Sequence, residues 1–203
     1  MKLHELHEEE LDEGIKSTMA AGALATALAV PGVMSADREP IHSVTPRDKT
    51  EITTTAPEIG RAELARTIAK KYRVSRKLIQ QVVELAYKYE DPTFPKAADI
   101  LAIVGVESSF NPESRSRLRH DPAIGLMQVR PGIWNINAAE LRSIESNIKH
   151  GANILRHYYK KLGSAEAAVQ AYNLGLTRFR KGGRNKRYVA KYRLELAYNK
   201  LSD

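Results

Sequence analysis

The sequence predicts a mainly α-helical fold, a helical bundle around a buried central helix with an irregular region of loops and short strands. Three observations predict it. Apolar residues recur at helical spacing over most of the chain after Gly60. Residues 100–106 are apolar on every side, which is typical of a helix that is buried all round. Five prolines and glycines fall between residues 110 and 137, so a long regular helix is not expected there.

The residues before this domain divide into segments of different composition. Residues 1–16 are acidic, whereas residues 17–36 carry no charge and are rich in alanine and glycine. Residues 37–60 contain three prolines and a run of threonines, a composition typical of a linker. We therefore predict an acidic leader with an apolar segment over residues 1–36, a linker over 37–60 and a folded domain over 61–203.

The uncharged segment 17–36 has three possible interpretations. Its length is about that of a helix that spans a bilayer, although Pro31 and Gly32 interrupt it. It ends in small residues that resemble a signal-peptidase site, but the region before it is acidic, where a secretory signal needs positive charge. The segment is therefore a signal or membrane anchor, a membrane-active or packaging segment, or a plain buried helix.

Helix boundaries within the domain follow from capping residues and apolar spacing. Apolar positions among residues 62–69 share one face and predict the first helix. The Ser75 hydroxyl can cap a second helix, which carries the apolar positions among residues 78–85. The central helix is expected from about Lys96 to Ser108. Further helices are predicted at about 143–162, ending at Gly163, at about 164–173 and at about 185–201.

The composition limits the chemistry and suggests the charge of a partner. The chain has no cysteine, which excludes disulfides and cysteine-based nucleophile or metal chemistry. Its formal net charge is +8, and residues 178–193 contain no acid. The cations of that segment are Arg178, Arg180, Lys181, Arg184, Lys186, Arg187, Lys191 and Arg193. This basic segment predicts contact with an anionic polymer, nucleic acid or anionic lipid, and the alternative is a solvated helix face.

Glu107 is a candidate catalytic acid because of its position. It ends the apolar run of the central helix and lies just before a loop. Burial disfavours the charged form of a carboxyl group, so the pKa of Glu107 should rise and the group should stay protonated near neutral pH. A protonated carboxylic acid can donate a proton to a leaving oxygen. The alternative is a helix-terminal glutamate that reaches solvent.

Four short blocks of sequence follow one another from Glu107 onward. They read Glu107-Ser108-Ser109-Phe110-Asn111-Pro112, then Gly125-Leu126-Met127-Gln128-Val129 with Pro131, then Asn147-Ile148 with Gly151, and finally Ala171-Tyr172-Asn173 with Gly175. Each block alone is a weak signal, but together they resemble the soluble lytic transglycosylase (SLT) family over roughly residues 95–192. The resemblance implies a catalytic domain of the α+β lysozyme-like superfamily that acts on peptidoglycan glycan strands.

The resemblance also implies roles for individual residues. Glu107 matches the catalytic acid, and no metal or organic cofactor is required. The matching substrate-binding positions are Ser116 near the sugar N-acetyl group, Met127 and Gln128 along the groove, Tyr172 beside the acid with Asn173, and Tyr188 near the C-terminal end. Methionine and tyrosine can pack on sugar ring faces, while amides bond to hydroxyls. Met127 is alternatively a core residue, and Tyr172 with Asn173 alternatively just ends a helix.

The chain departs from the family pattern at three places. The segment between Ser116 and Gly125 is a few residues longer than the common pattern, and it is basic. The usual Leu-Met-Pro after the glutamine reads Val129-Arg130-Pro131. Arg184 stands where many relatives carry an acid about four residues before the tyrosine. The last difference leaves Glu107 without help from a second carboxylate at that position.

The resemblance implies that the chain cleaves the MurNAc-β-1,4-GlcNAc bond and forms 1,6-anhydro-MurNAc. Glu107 would act as general acid and then as general base. One alternative is a lysozyme-type hydrolase (muramidase) in which Asp121 or Glu113 positions a water. Another is a catalytically inactive wall-binding virion or structural protein. His4 and His7 lie three residues apart, but no third ligand is evident and a metal site is not expected.

Two biological settings fit this organisation. One is a phage virion protein that opens the host cell wall and contacts other virion proteins. The other is an enzyme of the bacterial periplasm or cell envelope. Because residues 1–16 lack the positive charge of a secretory signal, the sequence slightly favours the virion.

Overall fold

The computed structural model describes the backbone of residues 56–200 and the side chains of residues 60–200. The predictions for the acidic leader, for the segment 17–36 and for His4 and His7 lie outside the described residues. Within the described part, no helix is both long enough and apolar enough to cross a bilayer.

The described residues form a mainly α-helical fold, as predicted. The helices are α1 (Ala56–Tyr72), α2 (Arg76–Tyr89), α3 (Ala97–Ser108), α4 (Pro131–Trp134), a 3-10 turn (Glu140–Arg142), α5 (Ile144–Leu162), α6 (Ala165–Leu174), α7 (Leu176–Arg180) and α8 (Lys186–Lys200). Residues 56–200 contain no strand, and isolated antiparallel bridges join Arg115 to Ile124 and Ile124 to Val129. The mainly α, lysozyme-like fold is therefore confirmed, with single bridges in the region where short strands were expected.

Serine side chains cap the N-termini of three of the described helices. Ser75 accepts a hydrogen bond from the Leu78 amide at 3.5 Å, which confirms the predicted cap of α2. Ser143 and Ser164 cap α5 and α6 in the same way. Each hydroxyl satisfies a backbone amide that has no partner within its helix. Gly163, at φ 67°, ends α5 in the left-handed conformation that glycine adopts most easily.

The start of α1 differs from the sequence interpretation. The helix begins at Ala56, inside the stretch predicted as linker, and Pro57 falls in its first turn. Proline is tolerated there because the first amides of a helix have no intrahelical acceptor. A proline that suggests a linker is thus equally compatible with a helix start.

The central position of α3 is confirmed. Residues 100–104 are fully buried, and α2, α5 and α8 all pack against this helix. The last helix, α8, runs antiparallel to it: Tyr192 Oη donates to Asp99 Oδ1 at 2.5 Å, and Asn199 Nδ2 donates to the Ala98 carbonyl at 3.3 Å. A helix from the middle of the sequence and the last described helix therefore pack into one core.

Candidate functional site

Glu107 is held at the end of α3 by a sharp turn of the chain. Ser109 and Phe110 follow the helix at φ 53° and 62°, and the Ser109 amide bonds to the Gly105 carbonyl. Two consecutive non-glycine residues in the left-handed region cost roughly 1–2 kcal/mol each. The Phe110 ring is buried and packs on the Tyr72 ring at 4.8 Å. This packing stabilises the turn and fixes the backbone just beyond Glu107.

The carboxyl group of Glu107 is partly desolvated and accepts one strong hydrogen bond. Tyr188 Oη donates to Glu107 Oε1 at 2.6 Å. Burial raises the pKa of Glu107 from 4.5 to about 7, while the hydrogen bond from Tyr188 acts in the opposite direction. Part of the side chain still reaches the surface. At neutral pH, both the protonated and the ionised forms of the group are therefore populated, which suits proton donation followed by proton acceptance.

Two tyrosine hydroxyls lie close to this carboxyl group. Burial raises the pKa of Tyr172 and of Tyr188 well above the usual value, and the negative charge of ionised Glu107 adds to both shifts. Both groups therefore remain hydroxyl donors at neutral pH. Tyr172 Oη donates to the Met127 carbonyl at 2.7 Å, which ties α6 to the segment 125–128.

Asn147 organises the segment 125–128 from inside the core. Its Oδ1 accepts from the Met127 amide at 2.8 Å, and its Nδ2 donates to the carbonyls of Ile124 at 2.8 Å and Leu141 at 2.9 Å. Gly125 lies at φ 76°, and a Cβ there would come within 2.4 Å of Asn147 Nδ2. The glycine and the asparagine of the sequence blocks are thus one packing unit that shapes the loop.

The structure places the Met127 side chain in the core, in agreement with the alternative interpretation. Its exposed fraction is 0%. A Cβ on Gly151 would lie 2.3 Å from Met127 Sδ, so the glycine makes room for the methionine. The side chain does not reach the surface to pack on a sugar ring. What Met127 contributes near Glu107 is its backbone carbonyl, which Tyr172 contacts.

Ser116 and Gln128 both bond to the loop that follows α3. The Ser116 hydroxyl accepts from the Ala123 amide at 2.8 Å. Gln128 lies at φ 50°, and its Nε2 donates to the carbonyls of Ser114 at 3.0 Å and Gly125 at 2.9 Å. Both side chains are partly exposed. They therefore brace the loop, and their roles toward a sugar stay predictions.

Asn173 is connected to Glu107 through a residue that the sequence interpretation missed. Asn185 Nδ2 donates to Asn173 Oδ1 at 2.8 Å, and Asn185 Oδ1 accepts from the Tyr188 amide at 3.0 Å. Asn185 directly precedes the first residue of α8, a position at which asparagine is a favoured cap. This preference is the sequence signal that could have identified Asn185. A chain of contacts thus runs from Asn173 through Asn185 and Tyr188 to Glu107.

Of the two other acids near the loop, only Asp121 is bound by neighbouring groups. Asp121 Oδ2 accepts from Arg130 Nε at 3.1 Å, and its Oδ1 accepts from the Gly132 amide at 2.7 Å. Glu113 is exposed. Arg184 donates to the carbonyls of Phe179 and Gly183. Among the described side chains, no three His, Asp or Glu residues are grouped so that they could hold a metal ion.

The comparisons with known proteins identify the family. The model of the family "Transglycosylase SLT domain" matches residues 93–194, about half of the 203 residues, and this range includes every predicted site residue. Neither the comparison with curated proteins nor the comparison with solved structures gives a match. The chain therefore belongs to the transglycosylase SLT domain family, and membership of this family implies a peptidoglycan-degrading transglycosylase.

Proposed function

We propose that this protein is a lytic transglycosylase that cleaves the MurNAc-β-1,4-GlcNAc bond of peptidoglycan, with Glu107 as its one catalytic carboxyl group. The observation that carries the proposal is the environment of Glu107. Its pKa is raised to about 7 by burial, and it accepts a 2.6 Å hydrogen bond from Tyr188. A group that titrates near the working pH can give up a proton in one step and accept one in the next.

In the first step, protonated Glu107 donates its proton to the oxygen of the glycosidic bond. The bond between the muramyl anomeric carbon and this oxygen breaks, and its electron pair stays on the oxygen. The substrate's own acetamido group stabilises the cation that develops at the anomeric carbon. Tyr188 then stabilises the newly formed Glu107 carboxylate, because its hydroxyl stays protonated and continues to donate.

In the second step, ionised Glu107 takes a proton from the 6-hydroxyl of the same muramyl residue. The hydroxyl oxygen forms a bond to the anomeric carbon, which gives the 1,6-anhydro sugar and restores protonated Glu107. No water is consumed. The attacking hydroxyl belongs to the same sugar, so it acts at a high effective concentration.

The surroundings of Asp121 argue against a hydrolysis that uses Asp121 as the second carboxylate. Most glycosidases use a second carboxylate to activate water or to form a covalent intermediate. Both oxygens of Asp121 already accept hydrogen bonds, from Arg130 and from the Gly132 amide. Releasing this carboxylate for catalysis would leave the Arg130 ion pair and the first turn of α4 without their acceptor. A mechanism with one carboxyl group avoids that cost.

Two measurements on purified peptidoglycan test the proposal. Glu107→Gln should abolish cleavage in a zymogram while circular dichroism shows an unchanged helical signal. Mass spectrometry of the wild-type products should show anhydro ends, which are lighter than reducing ends by one water. Retained lysis by the folded Glu107→Gln variant would refute the role of Glu107. Reducing ends, together with loss of activity in Asp121→Asn, would instead establish a muramidase.

For the biological setting, we propose a phage virion protein that acts on the host wall and contacts other virion proteins. The acidic composition of residues 1–16 supports this, since a secretory signal requires positive charge before its apolar segment. Mass spectrometry of the mature protein tests the proposal. An intact Met1 in purified particles is expected, and cleavage near Ala36 would favour the bacterial envelope instead.

A further inference from the structure

Two groups of exposed cations belong to elements that help to form the surroundings of Glu107. The first, called the loop rim, consists of Arg117 and Arg119. The second, called the helix rim, consists of Lys186 and Arg187 in the first turn of α8. All four side chains are exposed.

The loop rim is anchored to the site by hydrogen bonds on both sides. Two hydrogen bonds between Ser116 and Ala123 join the two ends of this loop. The Ser116 amide donates to the Ala123 carbonyl, and the Ser116 hydroxyl accepts from the Ala123 amide. The Gly125 amide then donates to the Ser114 carbonyl at 2.8 Å, and two residues later the Met127 carbonyl accepts from Tyr172. The two arginines thus extend from a braced loop that leads directly to the surroundings of Glu107.

The helix rim is connected to the site even more directly. Lys186 and Arg187 immediately precede Tyr188, whose hydroxyl contacts Glu107 at 2.6 Å. Asn185, just before them, bonds to Asn173 and to the Tyr188 amide. Lys186 and Arg187 therefore lie within one helical turn of a residue that contacts Glu107.

Few acids lie near the rims: exposed Glu113 comes four residues before Arg117, and the two others are ion-paired. Asp121, close to the loop rim, is paired with Arg130. Glu166, across from α8, is paired with Arg193. Residues 60–200 as a whole contain 27 lysines and arginines against 12 acids. The surroundings of the site are therefore positive and attract an anionic substrate.

We infer that the two rims bind carboxylate groups of the peptide stems on the glycan strand, so that the enzyme prefers strands whose stems are negatively charged. The inference rests on the proposed function. In peptidoglycan, every muramic acid can carry a peptide with free carboxylates, so a strand with its scissile bond at Glu107 brings such groups alongside the site. Arginine and lysine are the side chains that pair with carboxylates, and arginine pairs bidentately.

The test compares two substrates that differ only in charge: glycan strands with free stem carboxylates, and the same strands with those carboxylates converted to amides. The measured quantity is the ratio of kcat/KM for the free-acid strand to that for the amidated strand, at low ionic strength. The wild type should prefer the free acid several-fold. Arg117→Gln with Arg119→Gln, and separately Lys186→Gln with Arg187→Gln, should each lower this ratio by about two- to five-fold, the range of exposed ion pairs. Added salt should lower the ratio as well, because it screens exposed charges.

Lys96→Gln with Lys160→Gln is the matched control, with the same change in net charge. Lys96 precedes the first residue of α3 and Glu107 lies near its end, so about eleven residues, roughly 16 Å of helix, separate them. Lys160 follows Tyr159, whose ring packs on Phe94 just before α3. Both lysines are exposed, and the control should keep the wild-type ratio.

Each outcome decides the matter. A wild-type ratio of one, or an equal loss in the control, would overturn the inference while leaving the proposed cleavage intact. Equal competition by duplex DNA and by free-acid strands would assign the surface to nucleic acid and overturn the inference too. If neither substrate is cleaved, the proposed function fails. In that case, binding of the two strands to the Glu107→Gln variant still measures whether the rims select charged stems.

Discussion

Replacing Tyr188 by phenylalanine tests how the acidity of Glu107 is set. Tyr188 is 7% exposed, so the phenyl ring keeps its packing and only the hydroxyl is lost. The hydrogen bond from this hydroxyl lowers the pKa of Glu107, in opposition to the larger effect of burial. Without the bond, the carboxylate loses its donor and the pKa should rise above the present value of about 7.

The size of this rise follows from the strength of the bond. Hydrogen bonds to charged groups contribute about 1.5–3 kcal/mol, and one pKa unit corresponds to about 1.4 kcal/mol. Because Glu107 is partly exposed, water replaces part of the lost bond and we expect a rise of about one unit. The limb of the pH profile of kcat/KM that reports Glu107 should move upward by that amount. An NMR titration of carbon-13-labelled glutamate measures the same shift without turnover.

Tyr192→Phe is the control for this experiment. Tyr192 is also buried on α8, but its hydroxyl donates to Asp99 at the other end of α3. It should leave the titration of Glu107 unchanged. If Tyr188→Phe leaves the pKa in place or lowers it, the hydrogen bond does not tune Glu107 and the reasoning above is wrong.

Two further predictions concern stability. The pKa of Glu107 is about 7 in the folded protein and about 4.5 in the unfolded chain, so the folded state binds more protons between these pH values. Stability therefore falls as pH rises through this window. Glu107→Gln should therefore raise the melting temperature at pH 8 but not at pH 4. The gain in unfolding free energy at pH 8 is at most about 3 kcal/mol, and an equal effect at both pH values would contradict the assigned shift. Gly151→Ala places a methyl group 2.3 Å from Met127 Sδ, and urea denaturation should show a loss of about 1–3 kcal/mol. Gly163→Ala, with open space around its Cβ but φ 67°, is a comparison in which only backbone strain is added.

Helices with strong local signals were predicted well from the sequence. The cap at Ser75, the apolar run of α3 and the stop at Gly163 each lie in or directly beside the helix that they specify, so local chemistry is sufficient. The short helix α4 was missed because its start depends on a tertiary contact. The Asp121 carboxylate accepts from the Gly132 amide across eleven residues, and the sequence Pro-Gly alone reads as a turn.

The candidate site was predicted in part, for a related reason. The position of Glu107 in the last turn of an apolar helix is a local feature, and the raised pKa follows from it. Whether Met127 lines a groove or fills the core depends on Gly151, twenty-four residues further along the chain, and periodicity does not reveal that pairing. The role of Asn185 was missed for the same reason. Its hydrogen-bond partners lie on α6, and the sequence does not show that α6 packs near the start of α8.

The contact between Tyr188 and Glu107 joins residues that are 81 positions apart. An unfolded chain gains this contact only after closing a long loop, so it belongs to the slow, non-local part of folding. A newly made chain therefore carries its acid long before it carries the helix that completes the surroundings of that acid. Proteolytic removal of the last described helix would take Tyr188 away from Glu107 and uncover one side of α3. We therefore expect a single cut near residue 185 to abolish the proposed cleavage.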